Sequence, residues 1–142
     1  FFQAEDGIRY LVRSRGLGDV YKRQLVHSLL LQINEWLCKI KKRSKAITSA
    51  DDFVASEKGE EIFDSICMLF IAVGENLKRV DQITDGALFA KYTEADWSGA
   101  MGFRDVIAHQ YFQVDNEEVF SIIQDNLEPL LRSIEHAIEE VR

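Results

Sequence analysis

From Leu25 onward the apolar residues recur at steps of three and four, and the whole chain holds one proline. That spacing puts them along one side of a helix, whereas a strand would need alternation by two. Val119, Ile122, Ile123, Leu127, Leu130, Ile134 and Ile138 make the cleanest stripe. Leu29, Ile33, Trp36, Leu37 and Ile40 make another, on a helix predicted from Leu25 to about Ala46. Between them Ile62, Phe63, Ile66, Leu69, Phe70, Val73 and Leu77 cover more than one face, so this helix is expected to lie buried between neighbours. A chain of 142 residues is the size of one domain and can bury a core unaided. The expected fold class is all-α, a bundle of four to five helices running up and down with short connections.

Boundary signals refine this picture. Thr48 or Ser49 is placed to cap a short turn across the first connection, and Ser56 to cap the central helix, with acids in its first turn. Gly74 inside that helix costs about 1 kcal/mol relative to Ala, and a close approach of another helix would explain it. Glu75 and Arg79 are spaced for a local i,i+4 ion pair. Asp81 to Glu94 reads as a loop, with a short helix around Gly86 to Tyr92. Thr93 is the expected cap of the next helix, with Asp96 at its start. Asp115 or Asn116 starts the last helix, and Pro129 within it predicts a kink.

Composition excludes several classes. Hydrophobic residues at 46% and charged residues at 29% fit neither a disordered nor a membrane chain. No stretch approaches the length of a membrane span. Cys38 and Cys67 sit in helical patterns unlike a disulfide framework, so a cytoplasmic location is expected. His27, His109 and His136 are widely spaced and there is no glycine-rich phosphate loop, so neither metal nor cofactor is expected. The net charge of −7 argues against a broad basic surface for nucleic acid, though not against a small one. The run KIKKRSK at the end of the first helix reads as a solvated end matched to the macrodipole, ahead of an RNA contact.

One stretch breaks the apolar pattern with chemistry. In FRDVIAHQYF, residues 103–112, Arg104, His109 and Tyr111 interrupt an apolar run. A cation and an imidazole are the parts that RNA cleavage without a metal needs. A base takes the 2′-hydroxyl proton, an acid protonates the leaving oxygen, and positive charge meets the phosphate. Histidine exchanges protons near neutrality and arginine grips phosphate with a planar fork. Positions five apart on a helix point about 140° from each other, so one helix serves both groups poorly. Either the helix ends near His109, or two copies pool their groups about a two-fold axis. A dimer would also supply two histidines, one for each proton transfer. The competing structural reading pairs Arg104 with Asp105 or another acid and leaves His109 at a helix end.

At these residues the chain resembles the HepT-like family of HEPN-superfamily ribonucleases. The family motif is Arg, four residues, His, one residue, Tyr, and it stands complete as RDVIAHQY. MGFRDVIAHQYFQVDNEEVFSIIQDNLEPL resembles the family's last two helices, and IFDSICMLFIAVGENLKRV its central buried helix with the Gly74–Glu75 pair. The resemblance runs from about Leu25 to the C-terminus. It implies a HEPN-type bundle with a kinked last helix, and a homodimeric, metal-independent endoribonuclease toxin with Arg104 and His109 at an interface cleft. Asp105 would have a supporting role. The partner implied is a nucleotidyltransferase antitoxin that transfers AMP from ATP to Tyr111, in a toxin–antitoxin pair of type VII character. The alternative is a non-catalytic helical module that binds a nucleotidyltransferase and positions its substrate.

A second resemblance concerns the N-terminus. QAEDGIR, a few variable residues and SRGLGDVYKRQ are similar to a conceptual translation of sequencing-library adapters, apart from Tyr10. Residues 1–24 are therefore expected to be non-native and 25–142 to be the helical domain. The first 24 residues hold five Lys and Arg against three Asp and Glu, which leaves −9 on the remainder.

Overall fold

The computed structural model describes residues 4–142, with side chains from Gly18 onward. Five α-helices follow one another: α1 (Ala4–Ser44), α2 (Glu57–Ile83), α3 (Trp97–Gln110), α4 (Asn116–Asp125) and α5 (Leu127–Val141). Short 3₁₀ turns at Ala50–Phe53, Phe89–Lys91 and Tyr111–Gln113 join them, and there is no strand among the described residues. The fold is an all-α bundle, the class expected from the sequence. α2 is its centre, packed on α1 along one side and on α3 along the other, while α5 closes over α1.

The predicted stripes form the core. Leu30, Ile33, Leu37 and Ile40 of α1 meet Ile66, Val73, Leu77 and Val80 of α2 and Ile134 and Ala137 of α5, all almost wholly out of water. Asn76, a buried polar residue of α2, is satisfied by Gln32 of α1 at 2.9 Å. A buried amide costs little once paired in this way.

Several boundaries differ in detail from the sequence signals. Ser56 caps α2 as expected, its hydroxyl accepting from the Gly59 N–H at 3.0 Å. The cap of α3 is Asp96 rather than Thr93; its carboxylate accepts from the Gly99 N–H at 2.9 Å. Asp115 caps α4. The kink expected at Pro129 is a break three residues earlier, so the predicted last helix is two. Proline has no N–H for the Asp125 carbonyl and its ring crowds that position. The chain turns at Asn126, whose N–H closes α4 on Ile122 at 2.9 Å and whose carbonyl opens α5 by accepting from Leu130 at 3.1 Å. Pro129 then falls in the first turn of α5, where its missing donor is not needed.

Phe1–Gln3 and the side chains before Gly18 lie outside the described residues, so the segment expected to be adapter-derived is described by its backbone from Ala4 and by its side chains only from Gly18. The expected boundary at residues 24 and 25 falls inside α1. Arg23, just before it, donates to the carbonyls of Val141 at 3.0 Å and Glu140 at 2.9 Å, at the end of α5.

Candidate active site at the crossing of α2 and α3

The site starts from a missing side chain. α3 crosses α2 at Gly74, and a Cβ built there would lie 2.3 Å from the Arg104 Cβ and 2.8 Å from its Cγ. No side chain fits in that gap, which is the close approach the sequence called for. Phe70 and Phe103 pack edge to face beside it, their ring centres 5.4 Å apart. The crossing fixes the root of the Arg104 side chain against α2.

The guanidinium is then held by carboxylates. Arg104 Nη2 donates to Glu75 Oε1 at 2.9 Å and Oε2 at 3.3 Å, and Nη1 donates to Asp105 Oδ1 at 3.0 Å. Lys78 Nζ reaches the same Asp105 oxygen at 2.6 Å. Lys78 first and Arg104 second hold the Asp105 carboxyl below the usual carboxylate range. Two cations and two carboxylates thus interlock in a group of zero net charge, only partly shielded from water. Glu75 therefore pairs with Arg104 across helices rather than with Arg79 along its own, contrary to the spacing rule. Arg104 Nε is buried and has no hydrogen-bond partner.

His109 and Tyr111 lie further along. His109 is in the last turn of α3 and exposed, so its imidazole is open to a ligand. At Gln110 the α-helix gives way to the 3₁₀ turn, which swings Tyr111 back against α2. There its hydroxyl donates to Asp64 Oδ1. Burial, and then this contact with a carboxylate, push the Tyr111 phenol up to about 12. Next to it Phe112 is 98% exposed, its ring set edge-on to Tyr111.

Arg104 at the crossing and Tyr111 beyond the helix end thus both reach α2, through Glu75 and Asp64, while His109, five residues after Arg104 on the same helix, points to solvent. Both structural pairings expected for Arg104 are made, to Asp105 and to a second acid. They do not exhaust the guanidinium, which carries five N–H donors. Asp64 and Lys78 were not singled out by the sequence. A signal for Asp64 existed: it precedes Glu75 by eleven residues, three turns of helix, which returns to the same face within about 20°.

The family description "Ribonuclease HepT-like" matches residues 33–137, which run from within α1 to within α5 and include the whole motif. The chain belongs to the HepT-like ribonuclease family. No curated protein and no solved structure matches it. The family match covers both helices of the crossing, so Gly74, Glu75, Arg104, His109 and Tyr111 all fall within the HepT-like region. Among the described residues no helix is long and apolar enough to cross a membrane.

Proposed function

We propose that this HepT-like chain is a metal-independent endoribonuclease toxin that works as a homodimer. Arg104 would take a non-bridging oxygen of the scissile phosphate. One His109 would accept the 2′-hydroxyl proton as the 2′-oxygen attacks phosphorus; the other would protonate the departing 5′-oxygen. The observation that carries this reading is the placement of an arginine and an exposed histidine on one helix, with a single histidine in the motif. One chain has one imidazole there for two proton transfers, and a two-fold axis doubles it. The free N–H groups of Arg104 support phosphate capture without loss of its hold on Glu75.

The off-switch would be Tyr111. AMP transferred to its oxygen by a nucleotidyltransferase antitoxin adds a phosphodiester charge and a bulky nucleoside beside the motif, where an RNA backbone would have to lie. A second reading has support in the interlocked charges: a non-catalytic module that docks on a nucleotidyltransferase and positions its substrate, with Arg104 serving structure alone. The −9 carried by residues 25–142 also favours it, since RNA is repelled by an acidic surface.

The two readings part in one assay. tRNA or mRNA is incubated in EDTA with wild type, Arg104→Ala and His109→Ala. The nuclease reading predicts cleavage by wild type and a loss of about a hundredfold or more in each variant. Absence of cleavage, or equal cleavage by all three proteins, rejects it. Intact mass after incubation with ATP and the antitoxin tests the switch: AMP should add to wild type and not to Tyr111→Phe.

A further inference from the structure

Tyr111 has a carboxylate for a neighbour. Its hydroxyl donates to Asp64 across the α2–α3 pair, forty-seven positions apart in the chain. Asp64 is exposed, so its carboxylate keeps contact with water while it holds the phenol. A phenol is a poor nucleophile near neutral pH because so little of it is ionised. A carboxylate within hydrogen-bond reach removes that obstacle by taking the proton as the new bond forms.

We propose that Asp64 is the proton acceptor that makes Tyr111 the receiving group for nucleotidyl transfer. This rests on the reading of Tyr111 as the modified residue. In the step, the Tyr111 oxygen bonds to the α-phosphorus of ATP. The bond from that phosphorus to the β-phosphate bridging oxygen breaks, and its electron pair leaves with pyrophosphate. The phenolic proton passes to Asp64, whose exposure lets water carry it away. The product has no O–H left to donate and places a phosphodiester charge beside a carboxylate, so the Tyr111–Asp64 contact is lost on modification. The chain thereby brings its own base to the transfer, and the partner need supply only the bound nucleotide.

Geometry separates this role from a holding role. Asp64→Asn keeps an oxygen that accepts from Tyr111 but cannot take its proton. Asp64→Glu keeps a carboxylate on a longer arm. The other titratable group near the phenol is Cys67 of α2, whose own thiol burial pushes up to about 12; His109 precedes Tyr111 by two residues, and Arg43 of α1 is bonded to Ser65, the residue after Asp64. These stay in place in every variant. Wild type, Asp64→Asn, Asp64→Glu and Tyr111→Phe are incubated with the nucleotidyltransferase antitoxin, Mg²⁺ and ATP, and AMP addition is followed by intact mass between pH 6 and 9. The expected result is an initial rate about a hundredfold lower for Asp64→Asn at pH 7, in the range of general-base effects. That variant's rate should climb about tenfold per pH unit as the phenolate fraction grows. Asp64→Glu should recover part of the loss. Wild type and Asp64→Asn modified at equal rates with the same pH dependence would overturn the role of Asp64 and leave Tyr111 as the acceptor. Wild type that gains no AMP overturns the acceptor reading and this inference with it.

Discussion

Tyr111 hangs from the end of α3 by a turn and is tied to α2 by its hydroxyl. Burial and the Asp64 carboxylate favour the neutral phenol and raise it to about 12, above the ordinary value near 10. The fold therefore binds this proton more tightly than the unfolded chain does. The resulting stabilisation is fully present below pH 10 and is lost as the pH rises from there through about 12. Tyr92, held by Glu140, is raised to about 12 as well. Among the described tyrosines, an ultraviolet titration should show two late ones, Tyr92 and Tyr111, the second of which disappears in Tyr111→Phe and moves towards the ordinary value in Asp64→Asn. Two late tyrosines in Tyr111→Phe would show that the contact does not hold. At this scale the sequence was readable where a motif fixed the residues, as for Arg104, His109 and Tyr111. It was not readable for the partners of Arg104. Local spacing favoured a Glu75–Arg79 pair, and only the α2–α3 crossing makes Arg104 the nearer cation.

At the scale of elements, the site depends on how closely α3 can approach α2. Two glycines report on this with opposite signs. Gly74→Ala should destabilise the fold by about 1–3 kcal/mol, because the new methyl collides with the Arg104 Cβ, which cannot rotate away. Gly102→Ala, on the exposed side of α3 with nothing within 4 Å of its Cβ, should stabilise by roughly 0.5–1 kcal/mol from helix propensity alone. Thermal melts compare the two directly; a Gly74→Ala protein as stable as wild type would mean that the helices do not meet there. Here the sequence was nearly sufficient. A glycine inside a strongly apolar helix called for a close neighbour, although nothing local identified that neighbour as Arg104. The break between α4 and α5 was readable as an irregularity at Pro129. Its place at Asn126 follows from the carbonyl that proline leaves without a donor.

For the whole molecule, the bundle could be read from helical periodicity and the motif marked a candidate site, but no periodicity reports which surface a second copy would cover. The exposed His109, the one imidazole of the motif, is what calls for that copy. If each active cleft needs His109 from both protomers, a mixed dimer with one His109→Ala chain is inactive. Activity then falls as the square of the wild-type fraction. Wild type and His109→Ala are refolded together at several ratios and constant total concentration, and RNA cleavage is measured in EDTA. The account predicts about a quarter of the wild-type rate at an equal mixture. A rate of about one half, linear in the wild-type fraction, or no cleavage by wild type itself, would contradict it.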